Sequence, residues 1–141
     1  MNMMEMVLAL FAVVFFSTVA IMYNQAVWDQ SEILIHSNKY VQSSHLTHSV
    51  LDEIDARLFS KQLAFANIKT QYNTTRSLIL THTGGTYNMQ ISAVDCDSLG
   101  VVLATPVANN IYTLVTVQTN TAGLRQPVVL RRVYTKTHLN L

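Results

Sequence analysis

Few side chains in this sequence have the type and spacing that chemistry requires. His45 and His48 are three residues apart and could share one face of a helix, as metal ligands do. Asp95 and Asp97 form an Asp-x-Asp pair, but a calcium site needs six to eight oxygen ligands. Neither pair has further carboxylates, histidines or cysteines at supporting spacing. We therefore expect no metal and no cofactor.

Nucleophilic catalysis is equally poorly supported by the sequence. Cys96 is the single cysteine, and its two aspartate neighbours disfavour the thiolate form that a nucleophile needs. The sequence contains neither a Ser-His-Asp context nor a phosphate-binding glycine loop. We expect a protein that is not an enzyme, in which Cys96 is a small loop or core residue.

The best basic cluster is the Arg131-Arg132 pair, with Arg125 and Lys136 nearby. Each Lys or Arg that neutralises a phosphate adds affinity for nucleic acid, so these arginines could contact DNA or another anionic surface. Charged residues also protect exposed edge strands of a sheet from pairing with other chains. The sequence leaves both interpretations open.

The charges are unevenly distributed along the chain, although the net charge is only +1. Up to Ala56 there are six acidic residues and one basic residue, and from Arg57 onward there are eight basic residues and two acidic ones. An acidic first half and a basic second half could attract each other between neighbouring copies. The alternative is that both halves simply carry solvated charges.

Glu5 is the only ionisable side chain before Asp29, and it stands at the start of the apolar run from Met6 to Met22. This run is long enough to span or nearly span a bilayer as a helix, and Tyr23 and Trp28 follow it where interfacial aromatics are common. A carboxylate beside hydrocarbon is costly and usually has a partner. The partner that we expect is an amine on another copy of the chain.

The apolar run does not have the pattern of a secretory signal peptide. No Lys or Arg precedes Lys39, and no small-x-small cleavage site follows the run. Basic flanks also normally set the orientation of a membrane anchor. A simple explanation is that a short basic leader has been removed and that Met1 is the first residue of the mature chain.

A glutamate at the fifth position, followed by about twenty apolar residues and an amphipathic helix, resembles the type IV pilins and pseudopilins. The resemblance implies cleavage by a prepilin peptidase, methylation of the new terminus, and pairing of Glu5 with the terminal amine of Met1 in an adjacent subunit. It further implies a single-span inner-membrane subunit that the pilus assembly machinery adds to an extracellular filament. Met1 departs from the commoner phenylalanine, and the helix lacks the Gly and Pro that interrupt it in many bacterial pilins.

Three parts follow from this pattern: an apolar assembly or transmembrane helix over residues 1–28, an amphipathic continuation over 29–66 and a β-rich head over 67–141. Because Gly and Pro are absent before Gly84, we expect one helix to about Leu63 or Ala66. Seven apolar residues are candidates for the core of a bundle of such helices: Val7, Leu8, Leu10, Phe11, Val14, Phe15 and Val19. Helical spacing predicts a second apolar stripe that packs on a sheet: Leu51, Ile54, Leu58 and Phe65.

After this helix, β-branched residues and regular turn signals predict an antiparallel meander of four or five strands, which makes the fold α+β. We expect a connecting loop over 66–75 and a hairpin turn at Gly84-Gly85. A further turn is expected at Ala122-Gly123. The strands are predicted at 77–83, 86–94, 101–105, 111–119 and 128–136. The order of these segments also resembles, more loosely, the heads of prepilin-type proteins.

The leading hypothesis is a structural subunit of a type IV pilus-like filament, a homopolymer of the kind that serves adhesion, motility or secretion. One alternative is a minor, tip or competence pilin, or a type II secretion pseudopilin. Such a subunit binds DNA, a surface or secreted cargo. The candidate contacts with DNA are Arg125, Arg131 and Arg132. Another alternative is a single-span anchor for an interaction domain that never polymerises. The abundance of the chain in purified filaments separates these possibilities.

Overall fold

A computed structural model describes residues 2–80, 85–105, 107 and 110–136. These residues form a long helix α1 (Met3–Phe59), a 3-10 turn (Phe65–Asn67), a short helix α2 (Ile68–Gln71) and four strands. The strands are β1 (Thr74–Leu80), β2 (Gly85–Asp95), β3 (Tyr112–Thr121) and β4 (Val128–Thr135). The fold is therefore α+β, as predicted. The chain divides into two compact units, Met1–Asn38 and Lys39–Leu141, and we call the second unit the head.

In the first unit the apolar side chains lie on the surface of the helix. Every described residue from Asn2 to Ile35 is exposed. Thr18 donates its hydroxyl to the Val14 carbonyl at 2.8 Å, which satisfies a polar group inside the apolar run. The helix includes a stretch long and apolar enough to cross a membrane.

The head is an antiparallel sheet in the order β1-β2-β3-β4, covered on one face by the part of α1 that belongs to this unit. Side chains alternate between the two faces of each strand, so Ile91, Val117 and Leu130 share one row on the helix side. These residues pack with helix residues such as Leu51 and Ile54 in a single hydrophobic core. The predicted meander is confirmed with four strands.

The predicted end of α1 at Leu63 or Ala66 is wrong, because the helix ends at Phe59. Lys61 adopts a left-handed conformation, with φ of 59°, which turns the chain out of the helix. Leu63 then donates its N–H to the Arg57 carbonyl and is buried in the core. The spacing of apolar residues did not reveal this turn, because Lys61 is neither Gly nor Asn.

The predicted connecting loop over 66–75 is also wrong in part. Ile68–Gln71 is helical, and β1 already begins at Thr74. Ile68 and Tyr72 are fully buried, so tertiary packing organises a segment whose sequence carries little periodicity. The burial of Tyr72 depends on tertiary packing, which local helix propensity does not predict.

Of the two turns predicted at glycine residues, the one at Gly123 is confirmed and the one at Gly84-Gly85 is not. Gly123 lies at the predicted turn with φ of 82°, a conformation that glycine adopts without steric cost. The hairpin prediction at Gly84-Gly85 is wrong in position, because Gly85 is already part of β2 and pairs with Leu80. Gly84 lies outside the described residues. The predicted strand at 101–105 is reduced to one bridge between Cys96 and Val102.

Candidate assembly site

Glu5 makes a local contact at the start of α1, which its place beside the apolar run did not lead us to expect. Its Oε2 accepts a hydrogen bond from the backbone N–H of Asn2 at 3.1 Å. The Asn2 carbonyl in turn accepts the N–H groups of Glu5 and Met6, so Asn2 occupies the N-cap position of α1. This is the glutamate half of a capping box, and the signal was present as Asn2-x-x-Glu5. Met1 lies outside the described residues.

The seven candidate bundle residues lie on the exposed surface of the first unit, with exposures between 47% for Val19 and 68% for Phe11. Phe15 and Phe16 touch edge to face, with ring centroids 6.0 Å apart. Exposed apolar side chains continue through Ile21, Met22 and Trp28. An apolar surface of this extent marks an interaction with lipid or with other protein chains.

The stripe predicted to pack on the sheet lies in the core of the head. Leu51, Ile54, Leu58 and Phe65 are buried, and they share one cluster with residues of β2, β3 and β4. The N-terminal part of this contact is polar. The Thr47 and Thr119 hydroxyl groups are 2.8 Å apart, and Lys39 donates to the Ala122 carbonyl at 2.9 Å.

Two groups of charged side chains flank α1 in the head. The first, which we call the β1 flank, is centred on Glu53. The Glu53 carboxylate accepts hydrogen bonds from Arg76 at 2.7 Å and from the Tyr72 hydroxyl at 3.1 Å, and it pairs with Arg57 at 3.0 Å. Both guanidinium groups also lie over the Tyr72 ring, at 6.0 Å for Arg57 and 5.4 Å for Arg76.

The electrostatics of the β1 flank follow from these contacts. The Arg76 hydrogen bond, opposed by burial, holds the pKa of Glu53 below its usual value. Burial and the nearby Glu53 carboxylate raise the pKa of Tyr72, so its hydroxyl stays protonated and donates. The carboxylate therefore remains ionised in the form that its three partners need.

The second group, the β4 flank, contains Asp52, Asp55 and Arg132. Arg132 makes a close ion pair with Asp55, and its Nη1 atom lies 3.7 Å from the Asp52 carboxylate. Tyr134 donates its hydroxyl to the Leu51 carbonyl at 3.3 Å beside this pair. Burial, with a smaller effect of Asp55, raises the pKa of Tyr134.

The proposed basic surface is therefore not formed as a single cluster. Adjacent residues of a strand point to opposite faces, so Arg132 lies on the helix side of the sheet and Arg131 on the other side. The Arg132 guanidinium is occupied by helix carboxylates, while Arg131 is exposed. Arg125 has an interaction within the chain. The structure does not bring these three arginines together as a DNA-binding patch.

The same contacts revise the interpretation of the uneven charge distribution. Glu53 and Asp55, from the acidic part of the chain, bind Arg76 and Arg132, from the basic part. Part of the attraction between the acidic and basic halves, which could have acted between neighbouring copies, therefore acts inside the head. The sequence signal was real, but the spacing of charges along a chain does not reveal whether partners belong to one copy or two.

The two candidate metal pairs have other roles in the structure. Lys69 donates to both carboxylate oxygens of Asp95, at 2.8 and 2.9 Å, and this contact lowers the pKa of Asp95. Asp97 accepts the N–H groups of Leu99 and Val101 and so closes its own loop. His45 and His48 are exposed on α1. Among the described residues, His, Cys, Asp and Glu side chains form no group of three that could hold a metal ion.

Cys96 is fully buried, and burial raises the pKa of its thiol, as do the neighbouring carboxylates to a smaller degree. The sequence predicted a small loop or core residue, and the structure buries it.

Comparison with family models, with curated proteins and with solved structures found no match to this chain.

Proposed function

We propose that this chain is a structural subunit of a helical surface filament of the type IV pilus kind. The observation that carries the proposal is the exposed apolar helix of the first unit, which has a single ionisable side chain, Glu5, before Asp29. Such a surface needs lipid or other chains around it. A filament of identical helices and a membrane both satisfy that need.

The proposed mechanism is an exchange of one apolar environment for another. The helix holds the subunit in the inner membrane and then moves into a bundle of identical helices, where protein replaces lipid around the same residues. Apolar contacts are non-directional, so they do not select one axial offset between copies. A charged pair does, because leaving either partner unpaired in a low-dielectric bundle is costly.

In the filament, we propose that the Glu5 carboxylate pairs with the terminal amine of Met1 in the adjacent copy. Prepilin peptidase and the pilus assembly machinery act on the chain before this step, and the chain itself performs no catalysis. The contact between Glu5 and the Asn2 N–H describes one copy alone. The carboxylate can keep that contact through one oxygen and offer the other to a neighbour.

The capping contact determines which variant tests the proposal. Glutamine also serves at this capping-box position, so Glu5→Gln keeps the local hydrogen bond and removes only the charge. We expect Glu5→Gln cells to hold the subunit in the membrane and to show at least about tenfold fewer filaments by electron microscopy, the cost of one lost charged pair. Normal filaments in this variant would contradict the proposed pairing.

The matched control is Glu5→Asp, which keeps the charge and shortens the side chain by one methylene. We expect partial assembly from this variant, because the charge can still reach a neighbour over a short distance. If Glu5→Asp loses filaments while Glu5→Gln keeps the wild-type number, geometry at the cap and not charge controls assembly.

A minor pilin that binds DNA has less support. Its proposed contact residues Arg131 and Arg132 lie on opposite faces of the sheet, and Arg132 is paired with Asp55. Arg131 remains the exposed member. Unchanged DNA retention by cells carrying Arg131→Ala would remove this candidate.

A further inference from the structure

The two flanks of the head carry opposite net charge. The β1 flank contains one carboxylate and two guanidinium groups, Glu53, Arg57 and Arg76, and is therefore positive by one. The β4 flank contains two carboxylates and one guanidinium, Asp52, Asp55 and Arg132, and is negative by one. Because β1 and β4 are the two edge strands of the sheet, these groups lie on opposite sides of one head.

Both flanks are open to solvent. The exposed fraction of the side chain is 47% for Arg57 and 69% for Asp52. An open groove adjoins each flank, one bordered by Glu53 and Arg76 and the other by Asp55 and Arg132. A neighbouring chain can therefore reach the charges without unfolding the head.

We propose that the β1 flank of one copy contacts the β4 flank of the next copy, so that the heads join in a repeating, heterologous contact. This inference rests on the proposed filament. A positive surface and a negative surface on opposite sides of one molecule complement each other when copies repeat in one direction. Two copies related by a two-fold axis would instead bring like charges together.

The first test reverses the charge on each side. Arg57→Glu and Asp52→Lys are each expected to lower the amount of filament that pellets from sheared cells by about fivefold, because each places like charges in contact. The double variant with both changes restores opposite charges and is expected to recover at least about half of the wild-type amount. Failure of the double variant to exceed either single variant would overturn the contact.

Arg131→Glu is the matched control. It makes the same change of two charge units on the opposite face of the sheet from both flanks. We expect wild-type amounts of filament from it. A loss equal to that of Arg57→Glu would show that head charge in general controls assembly, and the specific contact would be wrong.

The second test uses disulfide formation and depends less on charge. In filaments of the Asp52→Cys, Arg57→Cys double variant, mild oxidation is expected to produce a ladder of multimers on a non-reducing gel. The two positions are at least about 7.5 Å apart along one helix, beyond the ~7 Å limit for a disulfide within a copy. The native Cys96 is fully buried and does not contribute to the ladder.

The single-cysteine variants complete the design. Neither Asp52→Cys nor Arg57→Cys alone is expected to form dimers. Dimers of either one would indicate a two-fold contact and overturn the heterologous arrangement. Intact filaments of the double variant without a ladder would overturn the contact between heads and leave the filament proposal standing. Failure of the wild-type chain to enter any filament would overturn both.

Discussion

Glu5 has two possible partners that differ in location and in cost. The Asn2 N–H of the same chain donates a hydrogen bond to the Glu5 carboxylate at the start of α1. The amine of another copy is available only after assembly. A capping contact of this kind contributes about 0.5–2 kcal/mol, while an unpaired charge in a dry bundle costs several. Glu5→Gln keeps the capping hydrogen bond and removes the charge, whereas alanine removes both, so only the amide variant separates the two roles.

Glu53 shows how one carboxylate can hold three elements together. It joins α1 to α2 through Tyr72 at the end of that helix, and to β1 through Arg76. The pKa of Glu53 is lowered by this contact, so the unfolded chain takes up a proton first as the pH falls. The stabilisation is fully present above the unfolded pKa and is lost as the pH falls through the folded pKa.

We expect Glu53→Gln to lower the free energy of unfolding of the head at pH 7 by on the order of 1 kcal/mol. The loss should shrink as the pH falls below the ordinary pKa of a glutamate carboxyl, because the wild-type contact is then weakened too. Thermal unfolding of the detergent-solubilised chain, followed by circular dichroism at pH 7 and pH 3, measures both effects. Asp52→Asn, at an exposed carboxylate without a short ion pair, is the control and should change little. An equal loss at both values of pH would contradict the assigned ionisation.

At the scale of elements, the end of α1 decides where the head begins. Lys61 is the only non-glycine residue with positive φ among the described residues, and its conformation allows Leu63 to enter the core. A side chain in the left-handed region costs about 1–2 kcal/mol relative to glycine. Burial of Leu63 in the core offsets this cost.

Replacing Lys61 with glycine should therefore stabilise the head by ~1 kcal/mol and raise its melting temperature by a few degrees. Lys61→Ala is the matched control, because it removes the charge but keeps the steric cost. Calorimetry of both variants separates the two effects. If alanine stabilises as much as glycine, the gain comes from charge and the assignment of strain is wrong.

At the scale of the whole molecule, the two compact units hold their apolar residues in different ways. Ile54 is fully buried in the head, while Phe11 is 68% exposed in the first unit. A buried apolar side chain stabilises the single copy, whereas a contiguous exposed apolar surface indicates an external partner.

We expect Ile54→Ala to lower the free energy of unfolding of the head by about 2–5 kcal/mol, because it leaves a cavity in a packed core. Phe11→Ala should leave the melting of the head unchanged in detergent and should reduce the yield of filaments. Parallel thermal melts and electron microscopy of the two variants measure this difference. A lower melting temperature for the head in Phe11→Ala would contradict the independence of its stability from Phe11.

The sequence by itself determined the features that depend on local order along the chain. The exposed apolar helix, the buried stripe of Leu51, Ile54 and Leu58, and the alternating strands all follow from residue spacing, because one helix or strand converts periodicity directly into a face. The glycine turn at Gly123 follows from backbone sterics in the same way. The capping pattern at Asn2 and Glu5 was also readable there.

Tertiary structure alone decided which charges from distant parts of the chain meet. Glu53 and Arg76 are 23 residues apart, and Asp55 and Arg132 are 77 apart, so nothing in their spacing indicates that they pair. Packing of α1 on the sheet brings them together and separates Arg131 from Arg132 on opposite faces. Long-range ion pairs depend on the path of the whole chain, whereas helical and strand periodicity depend on neighbours a few residues away. That is why the elements were predictable and the two oppositely charged flanks were not.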